Sequence, residues 1–134
     1  MALDISTLEA LLRTKADELA ELFIQTMSLT TPATRAKSGA WSNTAGIITA
    51  YFSYQLSDNP TEDNLEVVYS LSPVKDGVQF SVDICRPDGE VLAAITDSYV
   101  AFSTEDELSN ELNQLCDIAG KGALSRLKAM LLPT

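Results

Sequence analysis

Two carboxylates in the second half of the chain are the best candidates for acid–base chemistry. Asp83 and Asp97 fall on successive predicted strands, and a pair of carboxylates can act as general acid and general base. The alternation of apolar residues places Asp83 with Gln79 and Ser81 on one face, but Asp97 on the apolar phase of the next strand. We therefore expect the two carboxylates to point to opposite sides of the sheet. Asp97 on the apolar phase indicates either a bulge or a carboxylate at the margin of the core.

Other residues that could do chemistry give no catalytic or metal site. The chain has no histidine, which removes the commonest general base and the commonest zinc ligand. Cys85 and Cys116 are expected to be small buried thiols rather than a disulfide or a nucleophile. Asp58, Glu62 and Asp63 lie close together but lack the ligand spacing and the glycine of an EF-hand loop. No catalytic residue, metal ligand or cofactor is predicted.

The composition limits the partners that the chain can bind. Its 134 residues include 19 acidic and 9 basic side chains, for a formal net charge of −10. Such a surface is repelled by nucleic acid and by anionic membranes, so neither is an expected partner. A hydrophobic content of 46% is typical of a globular chain and favours a single domain over residues 1–134. The N-terminus lacks the pattern of a signal peptide, and we expect a cytoplasmic protein.

Apolar residues at helical spacing predict one amphipathic helix at each end of the chain. The first follows a capping box at Ser6–Glu9, and the second follows a capping box formed by Thr104 and Glu107. Gly120 and Gly122 predict a kink or a break in the second helix. The apolar stripes are Leu8, Leu12, Ala16, Leu19, Phe23 and Met27 in the first helix, and Leu108, Leu112, Leu115, Ala119, Ala123, Leu127 and Met130 in the second.

Four runs of strand-like residues lie between the helices. They cover residues 46–56, 65–71, 78–84 and 91–95, while the polar residues 30–43 are expected to form a flexible loop. Asp76-Gly77 suits a tight hairpin turn, and Pro87-Asp88-Gly89 suits a type I turn with a glycine bulge. The predicted fold is therefore a two-layer α+β domain in the order helix, four-stranded antiparallel meander, helix (α-β4-α).

The two turns also predict which residues face each other across the sheet. The first sets Leu71 opposite Val82, and the second sets Phe80 opposite Ile95. Both registers keep the apolar residues on one face of the sheet, as a sheet with one buried face requires.

The other face of the predicted sheet is polar and nearly free of cations. Such a face is either simply solvated or a docking surface for a basic protein partner or a second copy of the chain. Trp41 is either an aromatic anchor for that partner or a side chain packed on the sheet edge. The candidate partner-binding residues are Trp41, Glu66, Ser70, Ser81 and Asp83, with an acidic rim of Asp58, Glu62, Asp63, Asp88 and Glu90.

Three runs between residues 78 and 115 carry a resemblance to a known family. They are VQFSVDI at 78–84, RPDGEVL at 86–92 and DSYVAFSTEDEL at 97–108. They resemble the last hairpin and the start of the final helix in small cytoplasmic immunity proteins of bacterial polymorphic toxin systems, including the TriTu-like group. The resemblance implies neutralisation of a cognate toxin, without catalysis, by occluding its active or substrate-binding surface.

Two other classes of protein stay open. A small acidic secretion chaperone acting as a dimer has similar size, charge and helix–sheet–helix content. Such chaperones usually carry an additional helix between strands, and residues 46–102 show no helical period. An enzyme or small-ligand domain would use Tyr51, Tyr54, Glu66 and Asp83 in a cavity. The chain is expected to be a monomer or a homodimer.

Overall fold

The described part of the chain forms a helix, five antiparallel strands and a second helix. The computed structural model describes residues 4–27, 35–55, 64–86 and 88–131. Its elements are α1 (Ile5–Met27), β1 (Arg35–Ser42), β2 (Ile48–Gln55), β3 (Asn64–Val74), β4 (Gly77–Cys85), β5 (Val91–Ala101) and α2 (Glu105–Leu131). The strands lie in chain order in one sheet, and each pair of neighbours is antiparallel. The predicted α+β class is confirmed.

The predicted number of four strands is wrong, because β1 was not expected. β1 occupies residues 35–42, which the sequence suggested were part of a flexible loop, and it pairs with β2 along its whole length. The rest of that expected loop, residues 30–34, lies outside the described residues. Ser38 and Ala40 lie at positions of β1 that belong to the buried face of the sheet, where β2 to β4 mostly carry large apolar side chains. The usual signal of a half-buried strand is therefore weak in β1.

Both helices cover the same face of the sheet. α1 packs against β1 and β2, α2 packs against β4 and β5, and the helices contact each other. The described side chains of the predicted apolar stripes supply most of the helical half of the core, apart from Leu115 and Met130, which are only partly buried. The side chain of Met27 lies outside what the structure describes. The sheet supplies Ile48, Ala50, Phe52, Val67, Tyr69, Leu71, Val78, Phe80, Val82, Ile84 and Val100. Burial of these two apolar surfaces against each other is the main force that holds the layers together.

The two helix starts are capped differently. At α1, Asp4 replaces the predicted Ser6: its carboxylate accepts hydrogen bonds from the Thr7 backbone N–H (3.3 Å) and the Thr7 hydroxyl (2.7 Å). These bonds lower the pKa of Asp4. At α2 half of the predicted capping box is formed, because Thr104 Oγ1 accepts from the Glu107 N–H at 3.2 Å. The Glu107 carboxylate accepts from the N–H of the residue before Thr104 at 3.1 Å, rather than from Thr104 itself.

The predicted break in α2 is wrong, because the helix is continuous from Glu105 to Leu131. Gly120 is buried, and a Cβ there would lie 3.3 Å from the Tyr69 hydroxyl and 3.4 Å from Leu19 Cδ1. Packing of the helix on the sheet outweighs the low helix propensity of glycine.

The β3–β4 hairpin turns one residue earlier than predicted. Lys75 and Asp76 are its two turn residues, and Asp76 adopts a positive φ of 64°. Leu71 is therefore opposite Phe80 rather than Val82. Because the partner changes by two positions, each side chain keeps its predicted face.

The β4–β5 hairpin has the predicted turn but not the predicted register. Gly89 has a φ of 93°, and its N–H donates to the Arg86 carbonyl at 2.9 Å, so the chain reverses at the predicted position with the glycine in the left-handed region. Phe80 lies opposite Ser98 instead of Ile95, because two bulges interrupt the pairing near this turn. Because of these bulges, residues 96–98 of β5 lie on the opposite face of the sheet from the one that simple alternation predicts.

Candidate functional site

The face of the sheet that the helices do not cover is the candidate functional site, and we call it the open face. None of the described helices packs on it. The strand pairing assigns to it Gly39, Trp41, Thr49, Tyr51, Ser53, Glu66, Val68, Ser70, Ser72, Gln79, Ser81, Asp83, Cys85, Ala94, Asp97 and Tyr99. Most of these side chains are small or polar, so the face can remain in water without a cover.

Three carboxylates lie on neighbouring strands of the open face. Glu66 is on β3, Asp83 on β4 and Asp97 on β5. Burial raises the pKa of Glu66. Burial also raises the pKa of Asp83, and the negative charge of Asp97 raises it further. Glu66 and Asp83 have no hydrogen-bond or ion-pair partner within the described ranges.

The expectation that Asp83 and Asp97 point to opposite sides is wrong. Val82 pairs with Thr96 but Asp83 pairs with Ala94, so one residue of β5 is left over between them. Because of this bulge, Asp97 lies on the open face opposite Ser81. Of the two interpretations offered for Asp97, the bulge is therefore confirmed. Asp97 is exposed and accepts a hydrogen bond from the Gln79 side-chain amide.

An aromatic pair lies at the β1 end of the open face. Trp41 is 52% exposed, and its ring centroid is 5.7 Å from that of Tyr51. Gly39 makes room for Tyr51, because a Cβ at this position would lie 3.0 Å from the Tyr51 ring. Trp41 therefore packs on a neighbouring strand and still presents half its surface, as an interface anchor must.

The other predicted partner-binding residues divide into three groups. Ser70 and Ser81 face each other across β3 and β4 in the middle of the open face. Asp88 and Glu90 are used inside the β4–β5 turn: the Asp88 carboxylate accepts from the Glu90 N–H at 2.9 Å, and the Glu90 carboxylate lies 3.7 Å from Arg86 Nε. Asp58, Glu62 and Asp63 lie outside the described residues. The structure thus brings Glu66, Ser70, Ser81 and Asp83 together, with Trp41 on the same face.

Three of the four residues expected to form the alternative cavity site share the open face. These are Tyr51, Glu66 and Asp83, whereas the side chain of Tyr54 lies outside what the structure describes. Within the described ranges, no group of three or more cysteine, aspartate or glutamate side chains is placed to hold a metal ion.

A small crevice lies between α1 and α2, next to the core. Its volume is about 150 Å³, and Lys15, Tyr69, Cys116 and Gly120 are among the residues that line it. Tyr69 is 1% exposed, and no described residue hydrogen-bonds to its hydroxyl. Burial raises the pKa of the Tyr69 hydroxyl, and burial also raises the pKa of the Cys116 thiol to about 12. Neither group is a nucleophile at neutral pH.

Asp97, Tyr51 and Tyr99 belong to the open face but were not among the predicted partner-binding residues. Tyr99 is 52% exposed, and its hydroxyl donates to the Lys75 carbonyl at 3.1 Å. A signal for the β5 residues exists in the sequence, because the apolar alternation of 91–95 fails at Asp97, and the apolar Val100 lies on the opposite phase. Tyr51 was recognised only as a cavity residue.

The chain was compared with protein-family models, curated proteins and solved structures, and none of these comparisons gave a match. Neither α1 nor α2, as described, has the length and apolar character needed to cross a membrane.

Proposed function

We propose that this chain is a non-catalytic, acidic binding protein of the cytoplasm that acts as an immunity protein. In this proposal it neutralises a cognate toxin by occluding the toxin's active or substrate-binding surface. The observation that carries the proposal is the open face, where Glu66 and Asp83 are partly desolvated and have no hydrogen-bond or ion-pair partner among the described residues. A lysine or arginine from a bound protein would supply the missing counter-charge.

The surroundings of these carboxylates suit a protein interface better than a catalytic centre. The central serines are small, and the half-exposed Trp41 and Tyr99 can bury large apolar areas at low entropic cost. The net charge of −10 accelerates the encounter with a basic protein. A toxin that acts on nucleic acid must present cations to phosphates, and an acidic face can cover such a surface.

Co-expression tests this proposal. Genes next to this one that encode basic proteins are expressed in a host cell with and without this chain, and growth and complex formation are measured. We expect one product to arrest growth, and this chain to bind it one to one and restore growth. The proposal is wrong if no neighbouring product forms a complex or if binding gives no protection.

Charge reversal locates the binding surface in the same assay. The double variant Glu66→Lys/Asp83→Lys is expected to weaken the complex at least tenfold, because it places like charges against the partner. Glu21→Lys, on the exposed surface of α1, is the matched control and should leave binding and protection intact. A dimer that binds a secreted protein without giving protection would support the secretion-chaperone alternative instead.

A further inference from the structure

The two edges of the sheet are treated differently by the rest of the chain. At the β1 edge, Arg13 Nη2 donates to the Ala40 carbonyl at 2.8 Å, and the Ser38 hydroxyl donates to the Asp17 carboxylate, so α1 side chains cover this strand. At the β5 edge, no described group outside β4 hydrogen-bonds to the β5 backbone. One row of β5 backbone N–H and C=O groups is therefore available to another strand.

The bulges divide β5 into an irregular half and a regular half. The register shifts lie opposite residues 91–95, and bulges of this kind make a strand a poor template for pairing. Thr96–Ala101 pairs without interruption with Gly77–Val82. This regular segment, which we call the β5 edge, has six residues and is about 20 Å long at 3.3 Å per residue.

A groove runs beside the β5 edge. Its volume is about 740 Å³, and its walls are Ser98–Ala101 on the strand and residues from Glu107 to Leu115 on α2. Glu107 and Glu111 line it one helical turn apart, and Glu111 has no ion-pair or hydrogen-bond partner among the residues described. The helical rise between them is about 6 Å, close to the 6.6 Å that separates alternate side chains on a strand.

We propose that the β5 edge accepts an extended, lysine- or arginine-containing segment of the partner protein as a sixth strand. Alternate cations of that segment would face Glu107 and Glu111, while its backbone pairs with Thr96–Ala101. A second copy of this chain is the less suitable occupant, because it would bring its own acidic groove and a further charge of −10 to the same edge. This inference rests on the proposed function for the basic character of the partner, and adds where and how a part of that partner binds.

Synthetic peptides test the charge requirement directly. The probe is an eight-residue peptide of alternating lysine and valine with blocked ends, and its counterpart has glutamate in place of lysine. Binding is measured by titration calorimetry at low salt. We expect only the lysine peptide to bind, and Glu107→Gln/Glu111→Gln to weaken it about tenfold. Glutamine still serves the capping box at position 107. The matched control, Glu21→Gln/Asp106→Asn, removes two charges outside the groove and should change binding less than about twofold.

N-methylated peptides separate strand pairing from simple charge attraction. Two isomers of the lysine peptide carry N-methyl groups on either the odd or the even residues, so that each lacks the N–H donors of one strand edge. Pairing with the β5 edge predicts that one isomer loses binding and the other keeps it. Equal binding of both isomers would overturn the inference, as would no binding of the lysine peptide or a dimer of this chain formed through β5.

The outcome also distinguishes this inference from the proposed function. If a toxin is neutralised and Glu66→Lys/Asp83→Lys abolishes the complex, while Glu107→Gln/Glu111→Gln has no effect, the open face is the interface and the β5 edge is not used. If no neighbouring product binds although the lysine peptide pairs with the β5 edge, the proposed function fails and the edge remains a peptide-binding site.

Discussion

The Lys15 ammonium lies 2.8 Å from the Asp117 carboxylate and joins α1 to α2 across a separation of 102 residues. Only 10% of the Lys15 side chain is exposed, whereas Asp117 is largely in solvent. Burial by itself lowers the pKa of Lys15, but the hydrogen bond and charge of Asp117, with the charge of Glu18, raise it overall. The pair closes one side of the crevice above Tyr69.

Removing the charge of Asp117 is expected to destabilise the contact between the helices. Asp117→Asn should lower the free energy of unfolding by about 1 kcal/mol, because a mostly buried ammonium loses its nearest counter-charge. Since the folded-state pKa of Lys15 is above 10.5, this loss should be constant through neutral pH and disappear only above that raised pKa. Urea denaturation measures it. Glu18→Gln, whose carboxylate is 3.7 Å from Lys15, is the control and should cost less than about 0.5 kcal/mol.

The two glycines of α2 are expected to respond differently to alanine. A Cβ at Gly122 would meet only Ile95 Cγ2 at an ordinary 3.5 Å, so Gly122→Ala should stabilise the protein by about 0.5 to 1 kcal/mol through helix propensity. At Gly120 the same gain is opposed by contacts of 3.3 and 3.4 Å with Tyr69 and Leu19. Thermal unfolding of both variants should rank Gly122→Ala above Gly120→Ala, and the reverse order would contradict this packing.

Both thiols are expected to be unreactive in the folded protein. Cys85 and Cys116 are free and buried, which agrees with the sequence-based expectation. Burial raises both thiol pKa values; for Cys85 the charges of Asp83 and Glu66 add to this effect. An aromatic disulfide reagent at mildly alkaline pH should react more than about a hundredfold slower than with the urea-unfolded chain. Rapid labelling of either thiol under native conditions would show that its surroundings open readily.

Elements with large periodic side chains could be predicted from the sequence, and those without them could not. The stripe from Leu8 to Phe23 and the alternation of β3 and β4 gave the layers and the correct buried faces. β1 was missed because Ser38 and Ala40 give little apolar signal, and its position depends on α1 contacts that are distant in sequence. The register of β5 was wrong because a bulge is a property of two paired strands, while periodicity describes one strand at a time.

The same reason explains which parts of the candidate site were predicted. Glu66 and Asp83 precede the bulge and lie on regular strands, so that simple alternation assigned them to the correct face. Asp97 follows the bulge, and its predicted face was reversed. Tyr99 also follows the bulge and was assigned to no face. The turn residues Asp88 and Glu90 were assigned by charge alone, which does not reveal that each already has a partner within the hairpin.

The unpaired carboxylate of Asp83 predicts a conflict between stability and binding. Its folded-state pKa lies above the ordinary 3.8, so the folded protein binds more protons than the unfolded chain in the interval between these two values. Stability should therefore fall as pH rises through that interval, and Asp83→Asn should remove this part of the pH dependence. At pH 7 the variant should be more stable than the native protein by up to about 0.5 kcal/mol, because solvent still screens much of the side chain.

The same variant should bind a basic partner several-fold more weakly, since the neutral amide cannot provide the counter-charge. Glu21→Gln also removes one carboxylate, but on the exposed surface of α1 away from the open face, and is the matched control for both measurements. Urea denaturation at pH 3 and pH 7, together with calorimetric titration of the partner, gives the two effects separately. A variant that is less stable at pH 7, or that binds as well as the native protein, would show that the Asp83 charge is already compensated in the free protein.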